Sequence, residues 1–183
     1  MITSRTLAQV MAVAVVAMGL SASASAQQAI EPAPLVLGYV GGVSDGGGTT
    51  FGGGMHFPLG SKLVLAAEAG YLTGGQDFSG FGVDVDLHAI SVDANVHYLF
   101  PLSDNPRFTP YALGGIGYLR ASASVSSGAF SSDASSSTTG LNIGGGALWQ
   151  ASAKWAVRPE LKILMADGSN VRFSAALCYR FGS

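Results

Sequence analysis

The stretch WAVRPELKILM at residues 155–165 decides the fold class of this chain. Its charged side chains, Arg158, Glu160 and Lys162, alternate with apolar ones at Trp155, Val157, Pro159, Leu161 and Ile163. A period of two residues indicates a β-strand, because successive side chains of a strand point to opposite faces. One face of this predicted strand is therefore apolar, and the other carries three charges.

The same alternation recurs in seven more segments, which predicts eight strands. The other seven are residues 35–42, 49–57, 62–72, 85–100, 107–120, 139–150 and 171–181. Tight turns alternate with longer loops at 44–48, 73–84, 121–138 and 166–170. The serine-rich segment 121–138 gives no strand signal and is predicted as a long mobile loop. The glycine-rich fifth strand leaves its inward face undecided.

Composition decides which face of the strands points outward. Charged residues make up 11% of the chain and hydrophobic residues 48%, whereas a water-soluble domain carries about 25% charged residues. An apolar outside and a polar inside are typical of a barrel in lipid. We therefore predict an all-β, eight-stranded, antiparallel, up-and-down transmembrane β-barrel over residues 35–183. A soluble ligand-carrying barrel, with the opposite polarity, is the last alternative.

The polar faces of the predicted strands place charges inside the barrel. We expect a mixed-sign interior network formed by Lys62, Glu68, Asp93, Arg158, Glu160, Lys162, Arg172 and Arg180. In so narrow a barrel such groups should pair with one another and fill the interior. The sequence spacing of the three histidines, His56, His88 and His97, does not indicate a metal site, so no metal and no cofactor are expected. The single cysteine, Cys178, is expected to be a small barrel-wall residue.

The N-terminus has the pattern of a cleavable export signal. Arg5 precedes an apolar run at 7–20, and the triplet Ala24-Ser25-Ala26 has small residues at the positions that a signal peptidase reads. We predict a signal peptide at 1–26 and a short periplasmic segment at 27–34. Aromatic residues beside the tight turns predict that those turns and both termini are periplasmic; these are Phe57, Phe100, Phe108, Trp149, Trp155 and Phe181.

Four segments carry a resemblance to a known family. They are TPYALGGIGY at 109–118, NIGGG at 142–146, RPELK at 158–162 and LCYRF at 177–181. On these residues the chain resembles the OmpA/OmpX-like superfamily of small outer-membrane β-barrels, in the broad group of outer membrane protein β-barrel domains. The resemblance implies a Gram-negative-type cell outer membrane, with lipid and lipopolysaccharide around the barrel.

The C-terminus carries a further implication of this resemblance. Tyr179 and Phe181 are similar to the insertion signal that the barrel-assembly machinery reads, although Gly182 and Ser183 follow where family members usually end on the aromatic residue. The barrel-assembly machinery is therefore an expected partner during insertion. We expect a monomer, no nucleic-acid partner, and an unidentified surface or host ligand.

Function is predicted less sharply than fold. The expected role is non-enzymatic, in envelope structure or in surface interaction such as adhesion, through the extracellular loops. A narrow porin-like channel is the first alternative. A lipid-A-modifying enzyme is the second, although the His-x-Ser pair of one such hydrolase class is absent, since Pro58, Ile90 and Leu99 follow the three histidines at that spacing.

Overall fold

The computed structural model describes residues 33–44, 48–78, 83–127, 130–166 and 168–181. The predicted signal peptide, the adjoining residues 27–32 and the last two residues lie outside this described part. Within it, no helix has the length and apolarity needed to cross a membrane.

Eight strands form one closed barrel in which every strand is antiparallel to its neighbours. Their bounds are β1 Leu35–Val43, β2 Thr49–Pro58, β3 Leu63–Phe78, β4 Val83–Leu99, β5 Phe108–Ser127, β6 Phe130–Gln150, β7 Trp155–Met165 and β8 Ser169–Arg180. Pairing of β1 with β8, as in Leu37 opposite Cys178, closes the ring. The predicted eight-stranded antiparallel barrel is confirmed. Its closure leaves no free edge at the level where all eight strands pair.

The prediction of two long loops, at 73–84 and 121–138, is wrong, because strands occupy most of both segments. β3 and β4 extend to Phe78 and from Val83, so little of 73–84 is a loop. β5 and β6 pair continuously from Phe108–Trp149 to Ser127–Phe130. The hairpin cannot be predicted from the Ser-rich sequence, because serine and alanine give no polarity contrast between the two faces of a strand. The backbone hydrogen bonds between the strands form without any such contrast.

The barrel has two different ends, which we name by their connections. At the short-turn end, segments 59–62, 100–107 and 151–154 join the strands, and the described chain ends Ala33 and Phe181 lie there too. At the long-hairpin end, β3 to β6 extend well beyond the other four strands. The predicted aromatic residues lie on the outside at the short-turn end, and Phe57, Phe100, Phe108, Trp155 and Phe181 are 37–47% exposed.

An apolar band covers the outside of the barrel. On β4, exposed apolar side chains recur from Ile90, at 53% exposure, to Phe100 beyond the strand end. Ten residues at about 3.3 Å each, tilted by about 40°, span about 25 Å. That height matches the apolar belt of an outer-membrane barrel, which is also about 25 Å tall.

The inside is not polar all round, which departs from the prediction. Leu35, Leu37 and Tyr39 of β1 point inward and pack with Ala156, Ala176 and Cys178. β1 is apolar on both faces, so its sequence does not indicate which face points into the barrel. On β5, Tyr111 and Leu113 are buried whereas Ile116 and Tyr118 are exposed, which settles the parity that the sequence leaves open.

Pro159 interrupts one ladder, as its missing N–H predicts. Pairing between β6 and β7 runs from Leu141–Met165 to Gly146–Glu160 and resumes at Trp149–Val157 with the register unchanged. The gap lies opposite Pro159, while the ladder of β7 with β8 continues through Pro159–Ala175. The proline thus removes local bonds on one side of β7 without shifting the strand.

Candidate functional site

Six charged side chains meet in the middle of the barrel, and we call them the interior charge cluster. They are Glu68 of β3, Asp93 of β4, Arg158, Glu160 and Lys162 of β7, and Arg172 of β8. The period of two residues puts the three β7 charges in one inward row. Five of the six are at most 6% exposed, and Arg172 is nearly as buried. The cluster is therefore the candidate site within the described barrel.

Glu68 is the centre of the cluster. Its Oε1 lies 2.7 Å from Arg158 Nη2, and its Oε2 lies 3.0 Å from Lys162 Nζ and 3.1 Å from Arg172 Nη2. His56 Nε2 lies 3.5 Å from the same Oε1. One carboxylate therefore faces three cations from two other strands.

Asp93 and Glu160 complete the balance of charge. Asp93 Oδ2 lies 3.1 Å from Lys162 Nζ and 3.3 Å from Arg172 Nη1. Glu160 makes longer ion pairs, at 3.6 Å to Arg158 and 3.7 Å to both Lys162 and Arg172. Three carboxylates thus match three cations, which is the arrangement that makes burial of charge tolerable.

Neutral side chains supply further hydrogen bonds that the sequence-based prediction missed. Asn142 Nδ2 donates to Asp93 Oδ1 and to Asn95 Oδ1, both at 2.9 Å. Tyr111 donates its hydroxyl to Glu160 at 2.8 Å. The Arg172 guanidinium donates to the Tyr39 hydroxyl at 3.2 Å. The asparagines lie on the polar faces of their strands, so the alternation in the sequence could have identified them as inward. The tyrosines lie at positions that the sequence pattern indicates as apolar.

Two of the eight predicted network residues lie outside the cluster. Lys62 is exposed in the turn before β3, so its predicted place inside the barrel is wrong. β3 begins at Leu63, one residue later than predicted. The alternation of inward and outward side chains holds only within the strand, so it does not apply to Lys62. Arg180 is half-buried on the inward side of β8 at the short-turn end, where it lines a cavity with Arg158.

The three histidines divide between the inside and the outside of the barrel. His56 and His97 are buried inside at the short-turn end, with ring centroids 4.8 Å apart, and His88 is exposed near the long-hairpin end. Among the described residues, no group of three or more His, Cys, Asp or Glu side chains is arranged to hold a metal ion. His56 instead faces Arg158, whose Nη1 lies 2.8 Å from its Nε2.

This arrangement fills the barrel at mid-height. Side chains from four strands meet across the lumen, and Arg158 is fully buried at 0% exposure. Each charge has a partner of opposite sign, so moving one aside would leave another unpaired in a poorly solvated interior. The cluster therefore acts chemically as a crosslink between β3, β4, β7 and β8.

Comparison with known proteins gives one family and several solved structures. The family described as outer membrane protein beta-barrel domain matches residues 12–181. No curated protein matches the chain. The structure is similar to Ail, the attachment invasion locus protein of Yersinia pestis, with 21% identity, a TM-score of 0.59, and coverage of 82% of this chain and 99% of Ail.

Two further solved structures support the same architecture. The N-terminal β-barrel domain of Pseudomonas aeruginosa OprF has 16% identity and a TM-score of 0.59, with 82% of this chain and 98% of that one covered. A major outer membrane protein from Thermus thermophilus has 13% identity and a TM-score of 0.64, with 82% and 100% covered. At these identities the likeness concerns the fold.

Proposed function

This chain belongs to the family of outer membrane protein β-barrel domains, and from that premise we propose that it is a surface-interaction protein of the bacterial outer membrane. In this proposal the barrel is a rigid anchor, and the extended β3–β6 strands form the binding element. We propose further that they bind extended segments of partner proteins by strand addition.

The observation that carries the proposal is a sheet that projects from one side of the barrel. Seven residue pairs of β5 and β6, from Ala121–Ser136 to Ser127–Phe130, lie beyond Arg120. At about 3.3 Å per residue they extend the hairpin by about 20 Å. β4 pairs with β5 along the whole of this extension, from Ala89–Ala121 to Val83–Ser127. The projection is therefore a sheet of four strands and not a loose loop.

The projecting sheet has an edge that no described strand covers. Pairing of β6 with β7 starts at Leu141–Met165, and Gly140 still lies against Met165 and Ala166, which leaves the ten residues 130–139 without a described neighbour on that side. Such an edge presents unpaired backbone N–H and C=O groups, which can pair with an extended segment of another chain. Charged residues and proline usually protect such edges, and residues 130–139 contain one charged residue, Asp133, and no proline.

The charge of the projecting segments favours a protein partner over a polyanion. Residues 73–89 and 121–138 carry four aspartates and no lysine or arginine. A structure of Ail has been solved with the heparin analogue sucrose octasulfate. The extensions of this chain lack the cations that would attract such a ligand. Backbone pairing needs no such charge, and it therefore suits this surface better.

Adhesion of bacteria to epithelial cell layers tests the proposal. Gln150 of β6 donates its N–H to the Arg107 carbonyl on the β5 side, and the register with β5 is unbroken, so even-numbered β6 residues direct their backbone groups toward β5 and odd-numbered ones toward β7. Ser135 and Ser137 therefore direct theirs to the free edge. A Ser135→Pro/Ser137→Pro variant removes two edge donors, and the matched Ser135→Ala/Ser137→Ala variant keeps them.

We expect the wild-type chain and the alanine variant to raise adhesion equally, and the proline variant to fall to the level of cells without the protein. All three should be inserted in equal amounts. Equal adhesion by the proline variant would contradict strand addition. If none of the three raises adhesion, the envelope role remains, and sensitivity of a deletion strain to detergent is its measurement.

The channel alternative has its own measurement. The interior charge cluster crosses the lumen, so we propose that the barrel is closed to ions at rest. Purified protein in a planar bilayer should then give no steady single-channel conductance. Stable conductance steps from the wild-type chain would favour the channel instead. The alternative of a lipid-A-modifying enzyme is tested by the composition of lipid A after expression of the protein. We expect the lipid A to be unaltered.

A further inference from the structure

A cavity of about 310 Å³ lies inside the barrel at the short-turn end. Aliphatic side chains from four strands form its walls, namely Leu35, Val64, Leu99 and Leu148. Leu102 and Pro106, in the turn between β4 and β5, line its rim. The cavity is thus an apolar cup that opens away from the projecting sheet.

The floor of this cup is polar. It consists of His56, His97, Tyr111 and Arg158. The His97 ring stacks on Tyr111 with centroids 4.6 Å apart and interplanar angle 3°, and it meets the edge of His56 at 4.8 Å. These contacts fix the imidazole on both sides, so its free ring nitrogen has a defined place at the floor.

His97 carries an unpartnered polar atom. The residue is 2% exposed, and its Nε2 has no hydrogen-bond partner within the described part of the chain. Burying a polar atom without a hydrogen-bond partner is unfavourable, because the atom loses its hydration and gains nothing in return. An occupant with a polar group at the floor would remove that cost.

Two arginines line the cup. Arg158 lies at the floor and Arg180 also lines the cavity, whereas none of the described residues lining it is acidic. Arg158 pairs with the carboxylates of Glu68 and Glu160, and neither of these two residues lines the cavity. Glu68 pairs with Arg158 through Nη2, whereas Arg158 Nε has no hydrogen-bond partner within the described part of the chain. An anionic group at the floor could therefore accept a hydrogen bond from that N–H and from the imidazole.

We infer that this cup binds a small amphipathic carboxylate. The carboxylate accepts hydrogen bonds from His97 Nε2–H and the Arg158 guanidinium, and the apolar body lies between Leu35, Val64, Leu99 and Leu148. A volume near the lower end of the usual range for ligand pockets, about 300–1,000 Å³, admits a short acyl chain or one aromatic ring. This site is separate from the proposed interaction edge and does not depend on it.

Ligand-observed NMR on the full barrel in lipid nanodiscs tests the inference. The probes are hexanoate and 3-phenylpropanoate, which distinguish an acyl chain from an aromatic acid. Hexanol lacks the charge, acetate lacks the apolar body, and empty nanodiscs report partition into lipid. We expect saturable binding of at least one of the two acids, and at least tenfold weaker binding of hexanol and acetate.

Three variants locate the binding. His97→Phe keeps a ring on Tyr111 and removes Nε2. Val64→Trp fills the cup, and Leu65→Trp places the same side chain on the lipid face, since Leu65 is 39% exposed and Val64 only 7%. We expect at least tenfold weaker acid binding for the first two and no change for the third.

Three outcomes would overturn the inference. The first is no saturable binding of either acid to the folded wild-type barrel. The second is unchanged binding to His97→Phe, and the third is equal binding of hexanol; either of these would mean that the cup is a solvent-filled mouth. If Val64→Trp fails to fold, the His97→Phe result decides alone, because that variant preserves ring volume and stacking.

Discussion

At the scale of single residues, Glu68 and its neighbours show how a charge is kept inside a barrel. The carboxylate faces Arg158, Lys162 and Arg172 within about 3 Å each. Removing it leaves three buried cations with only Asp93 and Glu160 to balance them. Loss of one member of such a group costs more than the pair itself contributes, because the remaining charges stay desolvated.

We predict that Glu68→Gln lowers the free energy of unfolding by about 3–5 kcal/mol. Urea unfolding of the refolded protein in lipid vesicles, followed by tryptophan fluorescence, measures this. Lys62→Gln is the control and should change stability by less than about 0.5 kcal/mol, because Lys62 is exposed in a turn. Equal effects of the two substitutions would contradict the central role of Glu68. Glu160→Ala should also lower stability.

Two adjacent glycines on β5 give a second prediction at this scale. A Cβ at Gly115 would clash with the Ala94 carbonyl and lie 2.5 Å from Asn95 Oδ1, while one at Gly114 would meet nothing closer than 3.9 Å. Gly115→Ala should therefore cost about 1–3 kcal/mol by overpacking. Gly114→Ala should be within about 0.5 kcal/mol of wild type. The same unfolding measurement applies, and equal stabilities would contradict the tight approach of β4 and β5.

At the scale of elements, strand length separates the barrel from its projecting sheet. β1 and β7 have 9 and 11 residues, whereas β5 and β6 have 20 and 21. The short strands match the thickness of the apolar band, since a transmembrane β-strand needs about 9–11 residues. The extra length of β5 and β6 therefore contributes to the projection and not to closure.

We predict that the β5–β6 extension can be removed without unfolding the barrel. Replacing residues 121–136 by Asn-Gly joins Arg120 to Ser137, which are paired in the register, through a two-residue hairpin. Because the interior charge cluster has no residue in this segment, the unfolding midpoint should change little. A barrel that no longer inserts would show that the extension contributes to folding.

At the scale of the whole molecule, the closed ladder and the interior charge cluster act together. All eight strand pairs contribute hydrogen bonds, and the cluster joins four of the strands across the lumen. Opening the barrel at any one seam would expose a strand edge to lipid, at several kcal/mol per unpaired group. Unfolding should therefore be cooperative and slow in detergent.

Heat-modifiability checks this expectation. An unboiled sample from an outer-membrane fraction should migrate differently from a boiled sample on a denaturing gel, because the closed barrel resists detergent at room temperature. Identical migration of membrane-bound material would contradict a closed, detergent-resistant barrel. Soluble material without a shift would revive the ligand-carrier alternative.

The sequence by itself determined the number of strands, the all-β class and most of the charged positions inside. Alternation in 155–165 is strong because charged and apolar side chains differ greatly in transfer free energy, so each face has one possible environment. Asp93 and Glu160 were placed inward for the same reason. The polar parity of β6 pointed to Asn142 as well, although the predicted network omitted it.

Tertiary structure alone decided four features of the molecule. They are the inward face of β1, the length of the β5–β6 hairpin, the place of Lys62 outside the interior charge cluster, and the cup at the short-turn end. In β1 both faces are apolar, and only the filling of a narrow lumen turns Leu37 and Tyr39 inward. In the hairpin, serine and alanine give no contrast, and backbone pairing with the neighbouring strand sets the length. The cup exists because side chains distant in sequence leave a space between them, and no local pattern encodes that space.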